Sequence, residues 1–238
     1  MQCRLNIRKA LTHTRTRAIS LARGIACAAG LRIRSGTAET FLVRLAALEL
    51  SASMKTTLAP LRSLIDIVDD ELVNADKQSQ ALVAGDPTVK RLTMLPGIGP
   101  ITASAFVAAL DVASRFEHAS QVASYLGLVP GEYSSGDTQR RGRVLRSARP
   151  HLQSLLVQAA WRVSRASDPR TERFRTWTQA IARRRGKKVA MVALARRLAR
   201  TLFAMWRDQT DYQPERVRTR RTTLDAVAAV DASVSALA

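Results

Sequence analysis

Cysteine is nearly absent from this sequence: Cys3 and Cys27 are the only two in 238 residues. Two thiols cannot build a disulfide framework, and they lack the CxxC spacing of a zinc site. Aromatic residues are scarce as well, at 5%, while alanine, leucine, valine and arginine are abundant. That mixture favours helices, because straight-chain side chains lose little rotamer freedom there. No apolar run approaches the ~20 residues needed to cross a bilayer. The basic opening from Met1 to Arg23 lacks the continuous apolar core of a signal peptide, so a reducing cytoplasm is the expected compartment and no membrane partner is expected.

Acidic residues are the third shortage. There are 19 of them against 38 lysines and arginines, a net charge of +19, and none precedes Glu39. Such an excess attracts polyanions and gains from counterion release on phosphate backbones. The excess is also uneven. Asp137 to Arg207 holds nineteen basic and three acidic residues, a local charge of +16. Solvated helix faces usually intersperse both signs, so this segment reads as a binding surface for nucleic acid.

What is present is enough for real cores: 46% of residues are hydrophobic, the proportion of an ordinary globular protein. The periodicity predicts a mainly α protein. Residues 4 to 29 carry apolar positions at helical spacing, ending at Gly30. A turn through Arg34, Ser35 and Gly36 leads to a short helix from Thr37 to about Leu48. Leu58, Leu61, Ile65, Val68, Leu72, Ala75, Ser79 and Leu82 then alternate at spacings of three and four. This is an a/d heptad seam, which serves either a homo-oligomeric coiled coil or an antiparallel hairpin with the preceding helix. Residues 1–87 thus form a basic helix and coiled-coil segment.

A second domain spans 88–212. Leu95-Pro96-Gly97-Ile98-Gly99-Pro100 between two helical stretches reads as a helix-hairpin-helix. Its glycines permit a tight turn, and amides at the start of the second helix can face a phosphate, which makes Gly97 and Gly99 candidate nucleic-acid-binding positions. Val129 to Val144 breaks the helical period and is expected to be a loop or short β-ribbon. Three further helices follow, to about Ser167, from Pro169 to about Arg183, and from Lys187 to about Trp206. The tail, 213–238, is expected to be disordered.

The most unusual chemistry lies in the break. Ser134 and Ser135 stand beside Gly136 and just before Arg140, Arg141, Arg143 and Arg146. A serine hydroxyl attacks a phosphodiester if its proton is removed and the charge at phosphorus is stabilised, and guanidiniums can do the latter through bidentate contacts. By residue type alone, the same loop also serves as a simple phosphate contact. Lys187 and Lys188 add a second basic cluster.

The ordered strings LTMLPGIGPITASAFVAAL, RFEHASQVASYLGLVPGEYSSG, RRGRV, LLVQAA and KKVAMVALARRLARTLFAMWRD resemble the carboxy-terminal domain of the IS-one-ten family of insertion-sequence transposases, also called bridge recombinases. The resemblance runs from about Val89 to Tyr212, and residues 4 to 84 are similar to the family's middle segment. It implies a DNA-transposing enzyme whose serine nucleophile lies in a Ser-Gly pair, here Ser135 with Ser134 as the fallback, working on DNA with a guide RNA at the nucleoid. It also implies a RuvC-like domain that holds magnesium with four carboxylates. That domain would precede Arg4 and is absent from this sequence, so no cofactor is expected in the chain itself. Where the family shows Gly-Asn or Gly-Asp and then Leu-Arg, this sequence has Ala148-Arg149 and Leu152-Gln153, which removes a turning glycine and a capping residue. Two functions therefore follow: a transposase, as a shortened copy, or a non-catalytic nucleic-acid-binding remnant or regulator.

Overall fold

The computed structural model describes residues 2–132, 135, 141–144 and 149–216. The chain divides into two compact units, Met1–Lys90 with Ser104–Ala109, and Arg91–Ala103 with Leu110–Ala238. Both are helical, as the composition requires.

In the first unit, helix α1 (Gln2–Ala28) packs along helix α3 (Ala52–Gly85). Two ion pairs fix the direction. Arg8 reaches Asp76 at 2.5 Å and Arg15 reaches Asp69 at 2.9 Å, so positions advance along one helix as they recede along the other. That antiparallel register places Ile19 opposite Ile65 and Ala26 opposite Leu58, and Ala18, Ile19, Ala22, Leu58 and Ile65 share one core cluster. The heptad seam is therefore spent within the chain, on α1. Its partner is the long basic helix, not the short helix immediately before it, and a second copy docking on the same residues would have to displace α1. Ser79, a polar member of the seam, is buried and satisfied by donating to the carbonyl of Ala75 at 2.8 Å. Asp69, one of the acids flanking the seam, is engaged by Arg15.

Helix α2 (Phe41–Ala46) closes the end of this hairpin. It is shorter than the period predicts. Thr37 spends its carbonyl on Arg44 and its hydroxyl on Thr40, which holds the preceding residues in a turn. Phe41 and Leu45 then insert into the α1–α3 cluster, and the Arg23 guanidinium lies 5.6 Å from the Phe41 ring. Full burial of a ring such as Phe41 contributes roughly 1.5–3 kcal/mol.

Helix α4 (Pro87–Leu92) and helix α5 (Pro100–Leu110) are joined by a tight turn. Next come a 3-10 turn (Ala113–Arg115), helix α6 (Ala119–Tyr125) and a two-stranded antiparallel ribbon of β1 (Pro130–Glu132) and β2 (Arg141–Val144). Helices α7 (Pro150–Arg165), α8 (Glu172–Arg185) and α9 (Lys187–Arg207) complete the second unit.

α9 is its core. Ala190, Met191, Leu194, Ala195, Leu198, Ala199, Leu202 and Phe203 are all buried, on flanks that meet α6, α7 and α8. Three alanines in that stripe let neighbouring backbones approach closely. Asp168 starts the turn before α8 (Pro169–Thr171) by accepting from the Arg170 amide at 2.9 Å. Gly186 both ends α8 and begins α9, with φ of 83°, a backbone shape open to glycine and costly to other residues. Beyond α9 the Tyr212 ring stacks on Phe174, and its hydroxyl donates to the carbonyl of Arg170 at 2.8 Å. Burial pushes that hydroxyl up to about 12. The chain continues into a 3-10 turn at Pro214–Arg216, where Glu215 accepts from Arg173; residues 217–238 of the tail lie outside the described residues.

Candidate nucleic-acid interface

The ribbon carries the serine segment. Pro130 pairs with Val144 and Glu132 with Arg141, with an irregularity in register between them. Ser135 lies in the connection and is exposed to solvent. Arg141 and Arg143 fall in β2, two residues apart, so the topology brings this basic strand back beside the strand that leads into Ser135. Ser134, Arg140 and Arg146 lie outside the described residues.

The approach to the ribbon is held by residues that the sequence reading did not select as functional. Gln153 of α7 donates to the carbonyl of Gly127 at 2.8 Å, three residues before β1 begins. Arg149 donates to the Tyr125 hydroxyl at 3.1 Å. The guanidiniums of Arg149 and Arg115 each lie 5.9 Å from the Tyr125 ring, and Arg115 lies 5.7 Å from Phe116 as well. Cations over aromatic faces gain from the ring quadrupole. The two departures flagged in the sequence thus have structural roles. Arg149 makes no side-chain cap for α7, whose first turn begins with Pro150, but it engages Tyr125, while Gln153 clamps the loop.

The turn between α4 and α5 separates the roles of its two glycines. Gly97 has φ of 87°, and an added Cβ would stand 2.5 Å from the Cγ2 of Val163 in α7. Its glycine character serves the turn and close packing. A Cβ on Gly99 would meet nothing within 4 Å. Of the two, Gly99 has open space beside it, just before the first turn of α5.

Lys187 and Lys188 lie exposed in the first turn of α9, directly after exposed Arg183, Arg184 and Arg185 at the end of α8. This junction and the Arg149 end of the ribbon are related through α7. Its 16 residues span about 24 Å, close to seven base-pair steps of a duplex. Ser154, Gln158, Arg162 and Arg165 are exposed along that helix and connect the two ends with a polar stripe. At the far end a cavity of about 270 Å³ opens among α7, α8 and α9, with Trp161, Arg165, Arg175 and Lys187 in its lining.

Among the described residues, no three His, Cys, Asp or Glu side chains gather into a group that could hold a metal ion. No described helix is long and apolar enough to cross a membrane.

Residues 89–175, which contain the turn, the ribbon and α7, match the family model described as Transposase IS116/IS110/IS902 family. A Pseudomonas aeruginosa protein named "Probable family 20 transposase" is 35% identical over 214 residues, 87% of this chain and 63% of its own length. Residues 89–175 thus carry the segment shared by the IS116/IS110/IS902 transposase family, and the chain is similar to named transposases over most of its length. A second relative, the transposase for insertion sequence element IS1111A of Coxiella burnetii, is 27% identical over 224 residues, covering 90% of this chain and 60% of that protein. The chain therefore spans about three-fifths of the length of these curated relatives. The family match reaches to Arg175 and so includes both the Arg149 and Trp161 ends of α7.

Proposed function

We propose that this chain binds the DNA of an insertion sequence along α7 and the ribbon, and that Ser135 attacks a strand during transposition. The observation that carries the reading is an exposed Ser135 in a ribbon whose return strand is Arg141-Gly142-Arg143, inside the segment matched by the transposase family model. The attack is a transesterification. The Ser135 Oγ–P bond forms as the bond from phosphorus to a deoxyribose oxygen breaks, and the serine proton ends on that leaving oxygen. One phosphoester replaces another, so the step needs no energy source and can reverse to rejoin strands. Positive charge at Arg141 and Arg143, with Arg140 and Arg146 in the same segment, stabilises the phosphorane, and guanidiniums suit this through paired donors. Ser134 is the fallback nucleophile.

The magnesium of the reaction is proposed to be held by a carboxylate domain outside the described residues, which offer no cluster of their own. A guide RNA and a second copy of the chain are proposed partners on the same footing. The test mixes the full chain with element-end DNA, guide RNA, magnesium and a separately expressed carboxylate domain. Ser135→Ala should abolish strand cleavage and leave duplex affinity unchanged; cleavage that survives the substitution refutes the assignment.

One observation favours a second reading. With no metal-holding group among the described residues and charge concentrated at the interface, the chain also suits a role as a nucleic-acid-binding module alone. That role gives salt-sensitive binding indifferent to Ser135→Ala and no cleavage under any combination of partners.

A further inference from the structure

The cavity at the end of α7 has no part in the serine chemistry, and its lining differs from an ordinary helix junction. Trp161 and Arg165 come from α7, Arg175 and Gln179 from α8, and Lys187 and Met191 from α9. Three cations thus surround one indole, and no acidic side chain is among the lining residues. The Arg165 guanidinium lies 5.1 Å from the Trp161 ring, a stacked wall whose edge donors stay open. Arg175 lines the cavity, and its Nε is buried with no hydrogen-bond partner in the protein. Nearby, Arg183, Arg184, Arg185 and Lys188 are exposed at the α8–α9 junction.

This chemistry selects a ligand with a flat ring and a negative charge. A paired duplex satisfies the basic junction but keeps its bases stacked inside. An acidic peptide would pair with the cations and leave the indole unused. An unpaired nucleotide answers both features. The volume, about 270 Å³, lies just under the roughly 300 Å³ at which small-molecule pockets begin, and suits one nucleotide better than a length of strand.

We propose that the Trp161 cavity receives a single unpaired nucleotide, its base stacked against the Trp161–Arg165 wall and its phosphate held by Arg175 and Lys187. The site rests on the nucleic-acid reading above and adds to it a place where an opened strand is held, at the opposite end of α7 from Arg149. Taking a base out of the stack is cheapest where it is already unpaired. The protein should therefore distinguish interrupted from continuous duplex without reading sequence.

The experiment uses the full chain and two DNA duplexes that are identical except for one bulged 2-aminopurine nucleotide. Wild type should bind the bulged duplex about ten-fold more tightly, in keeping with loss of one aromatic stack on substitution, and should quench its fluorescence. Trp161→Leu should erase both the preference and the quenching while binding the continuous duplex as before. Trp161→Phe should retain most of the preference, and Arg175→Gln should weaken it, which separates the site from a folding defect. Equal wild-type affinity for the two duplexes overturns the site and leaves the broader reading standing. Failure to bind even the continuous duplex at low salt overturns both. A ribonucleotide at the bulge that binds more tightly than its deoxy counterpart supports the site and assigns its source to RNA; the reverse order assigns it to DNA.

Discussion

Replacing Gly97 by alanine tests the geometry that joins the α4–α5 turn to α7. Two penalties combine. A residue with a Cβ at φ of 87° costs about 1–2 kcal/mol, and the new atom would stand 2.5 Å from Val163 Cγ2. Val163 is fully buried and cannot swing into solvent, and the carbonyl of Ala159 lies 3.5 Å away on the same side. Overpacking of this kind costs about 1–3 kcal/mol, so the total is about 3 kcal/mol. All three tryptophans, Trp161, Trp177 and Trp206, belong to the second unit. Urea unfolding followed by tryptophan fluorescence therefore reports this unit without interference from the first. With a urea dependence of about 2 kcal/mol per molar, the midpoint should fall by about 1.5 M. Adding Val163→Ala should relieve the contact but not the backbone strain, giving a measurable coupling between the two positions. Gly99→Ala, with nothing near its Cβ, should leave the midpoint within about 0.5 kcal/mol of wild type. An unchanged midpoint in Gly97→Ala, or an equal loss in Gly99→Ala, would refute the division of roles between these glycines.

Three further outcomes follow from the same packing and charge. Phe41→Ala removes the ring that closes the α1–α3 hairpin and should cost about 3–5 kcal/mol; circular dichroism should register the loss, while the tryptophan signal should stay unchanged. Lys187→Gln combined with Lys188→Gln should lower duplex affinity without regard to sequence and reduce the slope of log affinity against log salt by about 2. The carboxyl of Asp168 is held below its ordinary value by the Arg170 side chain and then by the Arg170 amide. Its contribution is thus present above the unfolded value and is lost as pH falls through the folded one, so Asp168→Asn should flatten the acid limb of a stability profile.

Much of the architecture is legible in the sequence because its signals are local. The three-four spacing from Leu58 to Ser79 marks α3, and Gly186 marks the break between α8 and α9. What covers a seam is a long-range matter. Leu58 and Ile65 would serve a second copy or a hairpin equally well, and the choice is visible only once Arg8 meets Asp76 and Arg15 meets Asp69. Boundaries set by side-chain bonds are equally hidden, as at Thr37, where Arg44 and Thr40 delay the start of α2. The candidate interface follows the same division. Gly97 and Gly99 look alike in a string, and only the φ of 87° at Gly97 and its contact with Val163 tell them apart. The spacing of Trp161 and Arg165 by four could have suggested a stacked pair, but the cavity also needs Arg175 and Lys187 from two other helices. Arg149, which reads as a departure from the family pattern, gains meaning only beside Tyr125.

Peptide mapping of a trapped adduct tests whether Ser135 carries the DNA strand. The full chain is incubated with nicked element-end DNA, guide RNA, magnesium and the carboxylate domain, then digested, and the phosphonucleotide-bearing residue is located by mass. The modification should fall on Ser135, disappear in Ser135→Ala and persist in Ser134→Ala. Tight DNA binding with no modified serine, or a modification that remains when Ser135 is alanine, would contradict the assignment to Ser135.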